Sequence, residues 1–194
     1  ENSRTAAAAG SASPAQQVAV LEMGMYALGE IATLCAVARP RIGVVTNVQP
    51  VHLERLGSIE RIAQAKSELI AALPADGLAV LNGDDPRVAA MTSLHRGASV
   101  LVGRDAANQV RLAQVEQQGL AGITFELCIT GLEPLGIAPV RRRLHCGMLG
   151  AHAAFPAALA ATVGLLQGLS WEQIARGLER LGVGLRLIPR RGRR

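Results

Sequence analysis

Residues 42–47 read Ile-Gly-Val-Val-Thr-Asn, and residues 58–73 read Ser-Ile-Glu-Arg-Ile-Ala-Gln-Ala-Lys-Ser-Glu-Leu-Ile-Ala-Ala-Leu. The first stretch is an apolar run with a polar end, which predicts a buried strand. In the second stretch apolar residues recur every three or four positions, which predicts a helix with Ser58 as its N-cap. A strand followed by a helix is the repeating unit of a parallel sheet.

The same alternation extends along the chain on both sides of these two segments. Short apolar runs predict further parallel strands, and periodic segments between them predict helices: strands at 18–21, 79–81 and 99–102, and helices at 29–38 and 86–94. After residue 108 the pattern indicates a small antiparallel set and two closing helices: strands at 109–116, 122–130 and 139–145, and helices at 153–167 and 171–181, the last with Ser170 as N-cap. We therefore predict an α/β fold with a mainly parallel sheet, helices on both faces and a small antiparallel sheet.

Length and composition limit the class of protein. The 194 residues suit one domain, and 49% hydrophobic residues with 18% charged ones are typical of a globular chain. No apolar run reaches eighteen residues and no signal-peptide pattern occurs, so we expect no membrane segment and a cytoplasmic location. The three cysteines lack a Cys-x-x-Cys pair, which predicts reduced thiols rather than a disulfide or zinc site: Cys35, Cys128 and Cys146.

The positive charge is concentrated at one end. The net charge is +5, and the last nine residues carry five arginines, so the rest of the chain is close to neutral. Only four aromatic residues are available for stacking on bases, which argues against a nucleic-acid binder. We expect a leader over residues 1–17, one domain over 18–183, a basic tail over 184–194, and a monomer.

Lys66 is the first candidate site residue because it falls on the apolar face of the predicted helix 58–73. Burial disfavours the charged form of a lysine, and a neutral amine can combine with carbon dioxide to give a carbamate, which is an oxygen ligand for metals. The alternative is a lysine at the edge of the face that extends its ammonium to water. His52 and Glu22 are further candidates; each has a structural alternative, as a loop histidine or a helix-capping carboxylate. Together the three form a coherent ligand set for Mg²⁺.

Other polar residues follow the predicted parallel strands. Thr46 and Asn47 end one strand and Asn82 ends the next, and open parallel sheets bind ligands at that edge. The run Asn82-Gly83-Asp84-Asp85-Pro86 is either a turn with a helix start or a loop beside a nucleotide. His152, behind Gly150, belongs either to a helix entry or to a nucleotide site.

Taken together, these motifs resemble the Mur ligase family, in particular the central ATP-binding domain of its UDP-N-acetylmuramoyl-tripeptide–D-alanyl-D-alanine ligase branch. The resemblance rests on seven motifs over residues 18–105: Glu22-Met23-Gly24-Met25, Gly29-Glu30-Ile31, Thr46-Asn47, His52-Leu53-Glu54, Gly57-Ser58, Ala65-Lys66 and Leu81-Asn82-Gly83-Asp84-Asp85-Pro86. It resumes at Gly150-Ala151-His152 and at 168–172.

The resemblance implies specific roles. Glu22 would bind one Mg²⁺ beside the phosphates of ATP, and His52 with a carbamylated Lys66 would hold a second. The residues on the nucleotide side would be Thr46, Asn47, Asn82, Asp85 and His152. The implied reaction is phosphorylation of the carboxylate of UDP-MurNAc-tripeptide by ATP, followed by attack of D-alanyl-D-alanine on the acyl phosphate.

The sequence also departs from the family pattern. No Gly-x-x-Gly-Lys-Thr/Ser phosphate loop occurs, and the asparagines expected after His152 are replaced by Ala153 and Pro156. Gly184 stands where an arginine is expected. We therefore expect a piece of a central domain that does not ligate by itself. Two alternatives stay open: a non-catalytic remnant of the fold, and another amide ligase of the superfamily, of folylpolyglutamate or cyanophycin type.

Overall fold

The computed structural model describes residues 18–50 and 56–182. Within these residues six strands form one sheet: β1 (Ile42–Val45), β2 (Leu78–Asn82), β3 (Ala98–Gly103), β4 (Val110–Gln117), β5 (Ile123–Ile129) and β6 (Val140–Cys146). Its helices are α1 (Glu30–Ala38), α2 (Ile59–Ala71), α3 (Pro86–Ala89), α4 (Ala154–Leu166) and α5 (Trp171–Glu179). A 3₁₀ segment, Ala90–Leu94, continues α3, so the predicted helix 86–94 is only partly α-helical.

The strands lie in the sheet in their order along the chain. β1 to β4 are parallel, and β4, β5 and β6 are antiparallel. β4 overlaps β3 at two positions only, Val102 with Val110 and Gly103 with Arg111. A full parallel return needs a long crossover, whereas a strand that starts where its neighbour ends needs only a short loop. The antiparallel strands therefore extend the main sheet and do not form the separate small sheet that we predicted.

Helices cover both faces of the sheet, as predicted. One core joins Val45, Ala79 and Leu81 of the strands to buried side chains of α1, α2 and α3. The other core joins strand residues such as Val80 and Phe125 to α4 and α5. Adjacent residues of β2 thus point into different cores, which explains the continuous apolar sequence of this strand.

Both predicted N-caps are confirmed. The hydroxyl of Ser58 accepts a hydrogen bond from the backbone N–H of Arg61 at 3.3 Å. Ser170 accepts from the N–H of Gln173, whose side chain accepts in turn from the N–H of Ser170, which completes a capping box. These caps fix the start of α2, which carries Lys66, and the start of α5.

The predicted strand 18–21 is wrong. The segment has no regular secondary structure, and its side chains are exposed, Val18 by 63%, Val20 by 93% and Leu21 by 58%. An apolar run indicates a preference for burial, but a strand also needs a neighbouring backbone for its hydrogen bonds. A cleft separates this segment from β1.

The described residues contain no helix long and apolar enough to cross a bilayer.

Candidate functional site

A cleft of about 880 Å³ runs alongside β1. One wall is the segment 18–23, and the floor is formed by β1 with Thr46. Helices from distant parts of the chain complete it, with Lys66 and Leu69 from α2 and Val163 from α4. The fold therefore brings Glu22, Thr46 and Lys66 to one cleft.

Lys66 is half-buried in this cleft, on the flank of the apolar face of α2. Its Nζ donates a hydrogen bond to the backbone carbonyl of Asn47 at 2.7 Å. Burial lowers the pKa of Lys66 because it removes water from the ammonium, whereas the negative charge of Asp85 acts in the opposite direction. At a given pH, the neutral amine of Lys66 is consequently more populated than the neutral amine of an exposed lysine.

Glu22 is exposed on the opposite wall. Because the segment 18–21 is not a strand, Glu22 does not follow a strand end as we predicted. Its carboxylate makes no hydrogen bond or ion pair with another described residue, so its oxygens are available to a ligand. Thr46 is exposed in the same cleft just after β1.

Asn82 and Asp85 have their polar atoms engaged by nearby main chain. The side chain of Asn82 donates to the carbonyl of Thr46 at 2.8 Å and accepts from the N–H of Asp84 at 2.9 Å. One oxygen of Asp85 caps α3, and the other accepts from the N–H of Val48 at 2.7 Å. Neither residue lines the cleft. Their contacts are those of a turn and a helix start that join β1, β2 and α3.

His152 lies apart from the cleft. It is exposed in a 3₁₀ turn, Ala151–Ala153, at the start of α4. The cleft contacts α4 near its other end, at Val163, which is roughly 16 Å further along a helix that rises 1.5 Å per residue. The structure therefore does not bring His152 together with Lys66.

The metal-ligand prediction involves a residue outside the described part, His52. Among residues 18–50 and 56–182, no group of three or more His, Cys, Asp or Glu side chains is arranged to hold a metal ion. Of the predicted metal ligands the described cleft contains Glu22, with its carboxylate, and Lys66, which would offer oxygen atoms only as a carbamate. Both would be oxygen donors, the type that Mg²⁺ prefers.

The sequence analysis missed the role of Asp84 in fixing the loop beside the site. Its carboxylate accepts from the N–H groups of Arg104 and Asp105 and from the side chain of Asn108, at 2.6, 3.0 and 2.9 Å. A Cβ on Gly83 would lie 1.7 Å from the Asn108 oxygen, which explains the glycine there. The sequence does not reveal these contacts, because the partners of Asp84 lie twenty or more positions away.

An open, mainly parallel sheet with helices on both faces and a partly polar cleft along one edge strand defines an α/β domain with a candidate ligand site. The comparisons with known proteins place this domain in a family. The model of the Mur ligase middle domain matches residues 5–163. The chain belongs to the Mur ligase family, as its sequence motifs suggested.

Two curated relatives illustrate the sequence similarity. The chain is 42% identical over 159 residues to a UDP-N-acetylmuramoyl-tripeptide–D-alanyl-D-alanine ligase of Mycobacterium tuberculosis, a match that covers 82% of the chain and 30% of the relative. It is 38% identical over 150 residues to a UDP-N-acetylmuramate–L-alanine ligase of Xylella fastidiosa, covering 76% and 30%. The chain thus spans about a third of the length of the relatives that it matches.

A solved structure shows the same fold. MurF from Acinetobacter baumannii superimposes with a TM-score of 0.70 at 22% identity, over 82% of this chain and 33% of that protein. This similarity confirms the predicted α/β architecture, with antiparallel strands added to a mainly parallel sheet.

Proposed function

We propose that this chain is the central, nucleotide-handling part of an ATP-dependent amide ligase that adds D-alanyl-D-alanine to UDP-MurNAc-tripeptide. ATP phosphorylates the tripeptide carboxylate, ADP leaves, and the dipeptide amine attacks the acyl phosphate to form the amide and release phosphate. The identity of 42% to a relative with this name supports the choice of substrates. Motifs shared with the family support the use of ATP and Mg²⁺.

The observation that carries the proposal is the environment of Lys66. Its lowered pKa favours the neutral amine, whose nitrogen can attack carbon dioxide, form an N–C bond and lose one proton. The product is a carbamate with one remaining N–H. That N–H can keep the hydrogen bond to the carbonyl of Asn47, so carbamylation does not require this contact to break.

Glu22, His52 and carbamylated Lys66 are the residues that would hold Mg²⁺. Bound there, the metal would neutralise negative charge on a transferring phosphoryl group. The available oxygens of Glu22 and the rigid support of α2 under Lys66 fit this role. A side chain that is fixed by packing loses little freedom when it binds, which favours positioning as the main contribution of the protein.

The remaining nucleotide-side residues have different kinds of support. Thr46 lines the cleft, and Asn47 contributes a carbonyl beside Lys66. Asn82 and Asp85 would act by shaping the loop, because their polar atoms bind main chain. His152 has the weakest support, since it lies at the other end of α4.

We also propose a cytoplasmic monomer in which residues 18–183 form the domain, with a leader at 1–17 and a basic tail at 184–194.

A second candidate is a non-catalytic remnant of the same fold. The replacement of the two asparagines expected after His152 by Ala153 and Pro156 favours it, because both changes remove polar groups from the expected nucleotide side. A third candidate is a related amide ligase, which the Xylella relative with its different amino substrate keeps open.

Carbon-13 NMR with labelled bicarbonate tests the carbamate directly. We expect a carbamate resonance in the wild-type chain that is absent from Lys66→Arg, a variant that keeps a positive charge on a long side chain but has no amine that forms a carbamate. Lys66→Arg also serves as the matched control for calorimetry with ATP and Mg²⁺. A wild-type spectrum without the resonance would contradict the proposed role of Lys66, and micromolar binding of ATP would contradict the remnant.

Substrate choice needs a separate measurement. Thermal unfolding of the chain with UDP-MurNAc-tripeptide, compared with UDP-MurNAc, reports which ligand binds the folded state, since ligand binding raises the unfolding temperature. A larger rise with the tripeptide is expected. A larger rise with UDP-MurNAc would favour the related-ligase candidate.

A further inference from the structure

Glu68 makes a long-range contact that the proposed chemistry does not use. It lies on α2, two residues after Lys66, and is half-buried. One carboxylate oxygen accepts from the N–H of Gly29 at 2.7 Å, and the other accepts from the N–H of Ala32 at 3.0 Å. Both N–H groups belong to the start of α1, where helical N–H groups lack partners within the helix and the helix dipole is positive.

Helix α1 has no capping side chain at its own N-terminus. Its N-cap is Gly29, at a φ of 87°, and no side chain of the cap position makes the usual hydrogen bond. Glu68, 39 positions away in the sequence, supplies the missing acceptor. A carboxylate of α2 therefore replaces the local cap of α1.

The turn before α1 is tied to the same point. Glu30, the first residue of α1, accepts hydrogen bonds from the N–H groups of Tyr26 and Ala27, the latter at 3.1 Å. Met25, just before this turn, is 8% exposed and packs in the same core as Ala65 of α2. The chain from Met25 to α1 is consequently held in one arrangement relative to α2.

This arrangement affects the cleft because Glu22 lies only three residues before Met25. A shift of the start of α1 away from α2 would move the wall that carries Glu22 away from Lys66. Glu68 is the side chain that links the two helices by hydrogen bonds to the main chain of α1.

We propose that Glu68 is a positioning residue, which holds the segment of Glu22 against the helix of Lys66 so that both can contribute to one ligand site. Its effect on that site rests on the proposed function. Glu68 does not itself contact the ligand. Its effect on α1 stands independently of the proposed function.

The test compares Glu68→Gln with Glu60→Gln in the whole chain. The glutamine has the length of glutamate, but its amide group has only one oxygen, so one of the two N–H groups loses its acceptor. Glu60 is an exposed residue of the same helix, with an ion pair to Arg87 at 3.5 Å, and the same substitution removes the same charge. Urea titration of all three proteins shows that they are folded under the conditions used.

Amide hydrogen exchange is the first readout. In Glu68→Gln we expect exchange to be roughly tenfold faster than in wild type at Gly29 or at Ala32, whichever N–H loses its acceptor, because a charge-assisted hydrogen bond is lost. Exchange at Val80 in the sheet should not change. Unchanged exchange at both Gly29 and Ala32 would overturn the proposal.

Binding of Mn²⁺ in bicarbonate buffer, followed by electron paramagnetic resonance, is the second readout. We expect Glu68→Gln to weaken it about tenfold at unchanged carbamate content, and Glu60→Gln to leave it as in wild type. Faster exchange without weaker Mn²⁺ binding would show a purely structural cap and overturn the positioning role. A wild-type chain that forms no carbamate contradicts the proposed function instead, and the exchange data still decide whether Glu68 anchors α1.

Discussion

The sheet has a parallel half, strands β1 to β3, and an antiparallel half, strands β4 to β6. The two halves bury their side chains in different ways. In β2 of the parallel half, the three central positions, Ala79, Val80 and Leu81, are all fully buried. In β5 of the antiparallel half, buried and partly exposed residues alternate along the whole strand. The reason is that helices cover both faces of the parallel half, whereas α4 and α5 cover only one face of β5 and β6.

This difference determines where polar chemistry can occur. In β1 and β2 of the parallel half no polar side chain precedes the strand end, where Thr46 and Asn82 lie. In the antiparallel half polar side chains spread over the open face and pair with each other, as in the ion pair of Arg141 with Glu126 at 3.3 Å. The position of the candidate site in the parallel half therefore follows from the architecture.

The largest expected effect comes from the same charge placed in each half. Val80→Glu puts a carboxylate into a position that is fully buried, with no partner, and should destabilise the protein by more than about 4 kcal/mol. Thr124→Glu puts it on the open face of β5, where the guanidinium of Arg143 already contacts the Thr124 hydroxyl, and should change stability by about 0.5 kcal/mol or less. Urea unfolding measures both.

Similar losses in the two variants would contradict the comparison. They would mean that the open face of β5 is covered in solution.

A second prediction concerns the link between the halves. Asp84, after β2, binds the loop that leads into β4, and Asp84→Ala leaves the side chain of Asn108, which is 4% exposed, without that acceptor. Hydrogen bonds to a charged group contribute about 1.5–3 kcal/mol, so we expect a loss of roughly that size. Asp76→Ala is the matched control, because Asp76 pairs with Arg41 at the exposed surface, and it should cost much less than Asp84→Ala. If the two losses are equal, the loop is not held by Asp84.

Much of the fold could be predicted because the signals were local. Strand–helix alternation gave the positions of β1 to β3 and their helices, and Ser58 and Ser170 marked two helix starts. The segment 18–21 was mispredicted because its apolar residues carry no information on whether a partner strand is present. The single continuous sheet was missed because it depends on a two-residue overlap between β3 and β4.

The candidate site was predicted less completely. Periodicity placed Lys66 on the apolar side of its helix, and the structure finds it half-buried there. The hydrogen bond between Asp85 and Val48 and the two hydrogen bonds of Glu68 could not be predicted, because each joins residues more than thirty positions apart. Such pairs follow from packing of elements and leave no periodic signal in a single sequence.

A third prediction is the pH dependence that Lys66 adds to the parallel half. Its pKa in the folded protein lies below the ordinary 10.5, so between the two values the unfolded chain binds more protons and the free energy of unfolding rises with pH. Below the folded pKa both states are protonated and this term is constant. Relative to Lys66→Met, wild type should gain stability as the pH rises towards 10.5, measured by urea titration in buffer free of carbon dioxide.

The difference between the two proteins isolates this effect from Cys35. Burial raises the pKa of the Cys35 thiol above 9.0, and this lowers stability as the pH rises, but the thiol is present in both proteins and cancels. A difference that does not vary with pH would show that Lys66 is as solvated in the folded protein as in the unfolded chain.

The smallest expected effects come from one strained residue in each half. Arg39 ends α1 at a φ of 48°, and Gln114 lies in the irregular part of β4 at a φ of 46°, which is the left-handed region. This conformation costs a residue with a Cβ about 1–2 kcal/mol, whereas glycine adopts it freely but loses about 0.5–1 kcal/mol of chain entropy on folding. Arg39→Gly and Gln114→Gly should therefore each stabilise the protein by about 1 kcal/mol or less. Alanine at the same positions, the matched control, should give no gain, and equal gains from alanine and glycine in a thermal unfolding series would trace the effect to the lost side chain instead of the backbone.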